Sequence, residues 1–232
     1  MSATMCPKFR FVCATRLTTD GFFQKSALGR SLSLYSSPNV EVRLFDENRT
    51  GIPTLYNKAI NESESDPAIL IFIHDDVHLC DFFWAEKIVA ALNIFEVVGL
   101  VGNRRRVPKQ PSWAFVDENL AWDSPENFSG VIGHGKGFPP DTIDFFGAPR
   151  HEVKLLDGLM LFCRSETLIS KNLRFDERFD FHFYDLDFCR QAELKETKMG
   201  TWPISAIHES GGEAGSVEWK LAYVEYLSKW GN

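Results

Sequence analysis

An uninterrupted apolar run that ends in two adjacent carboxylates constrains the fold of this chain more than any other feature. The run extends from Ala68 to Ile73 and continues directly into His74, Asp75 and Asp76. Its length and Ile content predict a central strand that is covered on both faces of a sheet. Strands of this kind place ligand sites at their carboxyl ends. We therefore expect both aspartates to face a crevice.

Strand and helix signals alternate through the first half of the chain. The predicted strands are 9–15, 40–45, 69–73 and 97–101, and the predicted helices are 20–35, 52–61 and 81–91. This alternation is typical of a parallel doubly wound sheet. We expect an α/β fold with one domain over 1–232, a mostly parallel central sheet flanked by helices, and a nucleotide-binding half over 1–103.

Regular periodicity fades between residues 104 and 150, where Gly, Pro and aromatic residues are frequent. A long segment that is rich in aromatic residues predicts a partly ordered flap over the site rather than disorder. Beyond it, 151–232 forms an acceptor and catalytic half, with predicted strands 159–163 and 202–207 and predicted helices 184–195 and 216–229.

Composition and charge exclude several classes of protein. The net charge is −7 over 232 residues, with one basic block at 104–106, so nucleic acid is not an expected partner. No apolar run approaches the roughly 20 residues that a transmembrane helix needs. Five cysteines lie at 6, 13, 80, 163 and 189 without a CxxC pair. We expect a cytoplasmic protein with reduced thiols; its oligomeric state is not predicted.

Two more polar groups fall at predicted element ends. Asp185 and Asp187 lie in the first turn of a predicted helix, where burial raises a carboxyl pKa and the helix N-terminus lowers it, so the outcome stays open. His208 follows a predicted strand and precedes two glycines. A histidine there can complete a metal site that carboxylates elsewhere begin.

Each group also has a structural interpretation. Adjacent aspartates after a strand often cap the next helix, first-turn acids often serve the helix dipole, and a lone histidine is often only hydrogen-bonded. Three such groups at one predicted sheet edge favour a functional site over three separate caps.

The order of short motifs along the chain points to one family. The motifs are 11–15 (FVCAT), 48–60 (NRTGIPTLYNKAI), 74–77 (HDDV), 157–162 (DGLMLF), 184–187 (YDLD) and His208. Over nearly the whole chain they resemble the inverting glycosyltransferases of the A-type (GT-A) fold. The similar group is family-2-like and includes the streptomycin-biosynthesis-protein type of glycosyltransferase-like domain. His74 stands where that family has the first Asp of its DxD motif, and Tyr184 stands where it has a Glu before the base.

The resemblance implies a role for each matching position. It makes Asp185 the general base and gives the metal, Mn²⁺ or Mg²⁺, to Asp76 and His208. It implies that the nucleotide sugar is bound by Thr15, Asp46, Asn48 and Asp75. It also implies that Asp157, Gly158 and Asp187 lie on the acceptor side.

The implied reaction is metal-dependent transfer of a sugar, with inversion, from a nucleotide-sugar donor to an acceptor hydroxyl. A UDP-sugar is the first expectation for the donor, and a glycan or small molecule for the acceptor. Two alternatives remain at this point. One is a noncatalytic module of the same fold that binds nucleotide or glycan, and the other is a metal-dependent phosphohydrolase that uses His74 and Asp75 as a His-Asp pair.

Overall fold

The computed structural model describes residues 7–35, 37–212 and 214–231. Its strands are β1 (Phe9–Ala14), β2 (Val40–Phe45), β3 (Ile69–Ile73), β4 (Val77–Leu79), β5 (Val97–Gly99), β6 (Val101–Asn103), β7 (Phe128–His134), β8 (Thr142–Gly147), β9 (Leu155–Leu156), β10 (Met160–Arg164), β11 (Met199–Thr201) and β12 (Ala206–His208). Its helices are α1 (Thr19–Lys25), α2 (Ala27–Leu32), α3 (Ile52–Glu62), α4 (Trp84–Ala91), α5 (Ser165–Ser170), α6 (Tyr184–Leu194) and α7 (Val217–Trp230), with a short 3-10 helix at Pro125–Asn127.

The central sheet has six strands in the order β11-β5-β10-β3-β1-β2. Strands β1, β2 and β3 are mutually parallel, and so are β5 and β11. Strand β3 is buried at every position, which confirms the prediction of a central strand. Strand β10 is antiparallel to both neighbours because the chain enters it at the carboxyl end of β3, where Met160 pairs with Ile73.

A second sheet lies at that carboxyl end, with the order β4-β12-β7-β6-β9 and β8 paired to β7. The sequence did not predict it. The predicted strand 97–101 is in fact two strands, because the chain passes from the central sheet into the second sheet at Leu100. The prediction of one strand over 202–207 is wrong. Pro203 has no N–H to give to a ladder, and the chain forms β11 before it and β12 after it.

Two smaller features also bear on the sequence predictions. The predicted helix 20–35 is divided at Ser26, whose hydroxyl accepts from the Gly29 N–H and thereby caps α2. Cys13, Cys80, Cys163 and Cys189 are free thiols, and Cys6 lies outside the described residues. Among the residues described, none of the helices combines the length and the apolar character that a membrane span requires.

Candidate functional site

The tight turn between β3 and β4 carries Asp75 and Asp76 to the junction of the two sheets. The turn is closed by the His74 carbonyl, which accepts from the Val77 N–H at 3.3 Å. Antiparallel pairing of β4 with β12 sets Val77 opposite His208. Residues far apart in sequence therefore meet at one sheet edge.

A cluster of three side chains could hold a metal ion, and we call it the metal cluster. It consists of His74, Asp76 and His208, whose possible ligand atoms lie within 4.8 Å of one another. His208 Nε2 is 3.3 Å from Asp76 Oδ2. Burial raises the pKa of Asp76, but the hydrogen bond and charge of His208 outweigh it and hold that pKa at about 2. The carboxylate is therefore ionised, and its Oδ1 is buried without a hydrogen-bond partner.

Tyr184 fixes the orientation and tautomer of His74. The Tyr184 hydroxyl donates to the Gly158 carbonyl at 2.8 Å and lies 2.8 Å from His74 Nε2. Because the hydroxyl has one hydrogen, Nε2 must be the donor in the second bond, which leaves Nδ1 with a free lone pair. Burial also lowers the pKa of His74 and favours the neutral ring.

This donor set fits a divalent cation. Two imidazole rings and an ionised carboxylate converge, and one carboxylate oxygen is buried with no protein partner. A buried polar atom without a partner costs about 1–3 kcal/mol, and a bound ion removes that cost. Mixed nitrogen and oxygen ligands of this kind suit Mn²⁺ and later divalent metals better than Mg²⁺.

Asp185 lies at the start of α6, on the other side of the Gly158 loop. Its Oδ2 accepts from the Gly158 N–H at 3.0 Å, and its Oδ1 accepts from the Leu186 N–H at 2.9 Å. Burial raises the pKa of Asp185 to about 7, and the negative charge of Asp157 acts in the same direction. A carboxylate with this pKa is suited to accept a proton near neutral pH.

Gly158 links Asp185 to the cluster, because it bonds both Asp185 and Tyr184, the tyrosine that contacts His74. A Cβ on Gly158 would lie 2.3 Å from the Tyr184 hydroxyl oxygen, so only glycine fits there. Asp157 accepts from the Leu159 N–H at 2.8 Å and from Trp113 Nε1 at 2.6 Å. Of the predicted acceptor-side residues, Gly158 therefore contacts Asp185 directly, and Asp157 precedes Gly158 in the chain.

On the nucleotide side, Thr15 and Asp75 are in direct contact. The Thr15 hydroxyl donates to Asp75 Oδ2 at 2.6 Å. Asp75 faces a cavity of about 100 Å³ lined by Ala14, Ile52, Tyr56, Ile73, His74, Asp75, Asp76 and Phe181. Asp46 and Asn48 lie beside this cavity rather than in its wall: Asp46 accepts from the Thr19 hydroxyl at 2.6 Å, and the Asn48 N–H donates to the Thr15 carbonyl at 2.8 Å.

Comparison with known proteins shows the family of the chain. The sequence profile of a glycosyltransferase-like family matches residues 23–207. The chain belongs to this family. A search of curated proteins finds no significant relative. Family membership identifies the chain as a glycosyltransferase.

Solved structures show the same fold at low sequence identity. The crystal structure of A197 from STIV is 11% identical, with a TM-score of 0.50, and the match covers 88% of this chain and 86% of that one. GalNAc-T7 with UDP, GalNAc and Mn²⁺ is 12% identical, with a TM-score of 0.55 over 98% of this chain and 49% of that one. The glycosyltransferase described here thus spans about half of GalNAc-T7. The expected GT-A fold is confirmed.

Asp187 lies apart from the other predicted site residues of this glycosyltransferase. Its side chain is completely buried. Its Oδ1 accepts from Lys229 Nζ at 2.5 Å and from Trp230 Nε1 at 2.8 Å, and its Oδ2 accepts from Gln191 Nε2 at 2.6 Å. Oδ1 holds α7 against α6, and Oδ2 is bonded within α6. Because no part of this side chain is exposed to a ligand, Asp187 does not enter the functional proposal.

We expect Asp187→Ala to lower the free energy of unfolding by about 1–3 kcal/mol, because Trp230 Nε1 and Gln191 Nε2 lose their acceptor. Lys229 Nζ keeps a carboxylate partner, Asp176 Oδ2 at 2.6 Å. Urea unfolding of the variant and the wild type measures the change. Activity per folded molecule should stay near that of the wild type. A stable but inactive variant would contradict the structural role and restore the acceptor-side assignment.

Sequence reasoning missed two residues of the site. His74 was treated as a departure from the family pattern, yet it joins the metal cluster. Tyr56 was not singled out, although it lines the cavity and its buried hydroxyl has no hydrogen-bond partner. The position of His74 directly before Asp75 was a usable signal. Tyr56 on α3 had none, because its contacts are all made by tertiary packing.

Proposed function

We propose that this glycosyltransferase transfers a sugar from a nucleoside-diphosphate donor to an acceptor hydroxyl, with inversion and with the help of a divalent cation. One observation carries the proposal. The Asp76 side chain, whose Oδ1 has no hydrogen-bond partner, lies beside the imidazole rings of His74 and His208. His74 is in turn linked through Tyr184 and Gly158 to the proposed proton acceptor Asp185.

His74, Asp76 and His208 would hold the cation. A divalent ion at this place neutralises charge on the leaving diphosphate, which is worth several kcal/mol in a transition state of this kind. The two imidazoles favour Mn²⁺ over Mg²⁺. The presence of Mn²⁺ with UDP and GalNAc in GalNAc-T7 supports both this choice and a UDP-sugar as the donor.

Asp185 would take the proton of the attacking hydroxyl. Its pKa of about 7 gives it both a large ionised fraction near neutral pH and a strong drive to accept a proton. The Gly158 and Leu186 N–H groups hold its two oxygens in place. For inversion, an acceptor hydroxyl beside Asp185 would attack the anomeric carbon on the face opposite the diphosphate. Attack from that side inverts the anomeric centre.

The donor would lie along the cavity wall to which Asp75 and Tyr56 belong, with Thr15 bonded to Asp75. The Thr15 hydroxyl already donates to Asp75, which leaves the other carboxylate oxygen to accept from a ligand hydroxyl. The unpartnered hydroxyl of Tyr56 offers one more hydrogen bond inside the cavity.

A panel of nucleotide sugars with Mn²⁺ tests the function directly. We expect slow release of a nucleoside diphosphate from one donor, its loss with EDTA, and its recovery when Mn²⁺ is restored. With an acceptor present, NMR of the product gives the anomeric configuration. Release of orthophosphate or a nucleoside monophosphate would indicate the hydrolase alternative, and binding without turnover would indicate the noncatalytic module.

Tyr184→Phe tests whether the Tyr184 hydroxyl helps His74 to bind the metal, without changing His74 itself. The variant keeps the ring but removes the hydroxyl that fixes the His74 tautomer, so we expect Mn²⁺ affinity to fall by about 10- to 100-fold. Titration of Mn²⁺ followed by electron paramagnetic resonance measures it. Tyr223→Phe is the matched control, because it also removes one hydroxyl bonded to a carbonyl, that of Lys109 at 2.6 Å. Equal affinities for both variants would show that Tyr184 does not support a metal ligand.

A further inference from the structure

A cluster of aromatic rings extends from the Asp157–Gly158 loop to the protein surface. It consists of Trp113, Phe115, Trp122, Phe128 and Phe146, which we call the aromatic cluster. Trp113 meets Phe146 edge-on, with ring centres 4.9 Å apart, and Phe146 lies nearly parallel to Trp122 at 6.1 Å. The cluster is thus continuous from Trp113 to Trp122.

The inner end of the aromatic cluster bonds the loop that holds the proposed base Asp185. Trp113 Nε1 donates to Asp157 Oδ2 at 2.6 Å. Asp157 directly precedes Gly158, whose N–H holds Asp185. One hydrogen bond therefore separates the cluster from the loop that positions the base.

The outer end is exposed although backbone pairing holds the segment that carries it. Trp122 is 58% exposed. It pairs with Phe115 in a small antiparallel bridge, which the Val116 N–H closes by donating to the Ala121 carbonyl at 2.8 Å. The next residue, Asp123, is buried and holds a bidentate ion pair with Arg105. Because its ring adjoins Phe115 and Phe146, Trp122 is the exposed edge of a contiguous aromatic group rather than an isolated surface residue.

The chemistry of this surface favours a neutral sugar. Flat aromatic rings stack on the C–H faces of pyranose rings, while neighbouring polar groups accept from their hydroxyls. Asp117 and Glu118 lie in the turn before Trp122, and the nearby Arg105 is neutralised by Asp123, so an anionic ligand would be repelled.

We propose that Trp122, backed by Phe146, stacks against a sugar unit of the acceptor, which makes the acceptor a neutral oligosaccharide chain rather than a small alcohol. This inference rests on the proposed function. Its reacting hydroxyl lies beside Asp185, and a unit further along the chain reaches Trp122. Trp113 connects the two through its neighbours, because it bonds Asp157 on the side of Asp185 and packs against Phe146 on the side of Trp122.

The test combines glycan binding with kinetics on the full chain in Mn²⁺. An array of immobilised neutral oligosaccharides is probed with the wild type, Trp122→Ala, Trp122→Tyr and the control Phe82→Ala, which alters an aromatic residue that is 81% exposed elsewhere. We expect Trp122→Ala to weaken binding about tenfold and to raise the KM for an oligosaccharide acceptor by a similar factor. Trp122→Tyr should retain most of the affinity, and Phe82→Ala should be unchanged.

Hydrolysis of the donor without acceptor reports on the proposed function alone and should be the same in all four proteins. If the wild type shows no such hydrolysis, the result counts against the proposed function. Binding to the array would still test whether Trp122 binds a sugar. The proposed role of Trp122 is overturned if Trp122→Ala binds the array as the wild type does, or if the wild type binds none of the glycans. Binding to phosphatidylcholine vesicles in place of glycans would also overturn it, in favour of a lipid surface.

Discussion

Asp185→Asn is expected to lower kcat by about 10²- to 10⁴-fold, which is the usual contribution of a positioned general base. The amide has nearly the shape of the carboxyl group but cannot take the hydroxyl proton. Donor KM and Mn²⁺ affinity should remain near those of the wild type, because the metal cluster and the cavity do not include this side chain. Initial rates with saturating donor and acceptor measure the effect.

Asp20→Asn is the matched control. Asp20 occupies the second position of α1, as Asp185 does in α6, so both variants remove a carboxylate from the first turn of a helix. The control should keep full activity. Normal turnover in Asp185→Asn, or an equal loss in both variants, would show that Asp185 is only a first-turn acid.

The pH dependence gives an independent reading of the same group. A base must be ionised to act, so kcat/KM should rise with pH through about 7, the value to which burial and Asp157 raise the pKa of Asp185. In Asp157→Asn the neighbouring negative charge is gone, so the rise should move to lower pH. A profile that is flat between pH 6 and 8 in the wild type would contradict the assignment.

The sequence predicted the ends of the strands better than the way the strands pair. The apolar run of β3 and the histidine that ends β12 are local signals, and both side-chain groups lie at strand ends as predicted, although the two strands belong to different sheets. The second sheet is built from short strands that pair across long stretches of chain, and the register that brings Val77 opposite His208 has no local signal. The hydrogen bond between His74 and Tyr184, 110 positions apart, is hidden for the same reason.

Asp185 and Asp187 show how far a local pattern can be trusted. Both fall in the first turn of α6, and the sequence put both at the site. Two residues of a helix differ by about 200° in direction, so they face opposite sides. One side meets the Gly158 loop, and the other meets Lys229 of α7. The packing of α7 therefore decides which of the two carboxylates stays free of a lysine partner.

Asp76→Asn should abolish high-affinity Mn²⁺ binding and lower kcat by about 10²- to 10⁴-fold, since several kcal/mol of stabilisation are lost and each 1.36 kcal/mol is tenfold in rate. The amide removes the one negative charge of the cluster that His208 contacts. Electron paramagnetic resonance of free Mn²⁺ measures binding without reference to activity. Thermal unfolding checks that the variant is folded.

Asp75→Asn distinguishes the two adjacent carboxylates. Asp75 bonds Thr15 and faces the cavity but does not belong to the metal cluster, so its variant should keep Mn²⁺ affinity and raise the KM for the donor. His74→Ala should lose Mn²⁺ binding as Asp76→Asn does, and the double variant should lose little more, because residues that hold one ion are not additive. If Asp75→Asn instead loses the metal while Asp76→Asn keeps it, the cation lies on the nucleotide side of the turn, and the pairing of Asp76 with His208 is only structural.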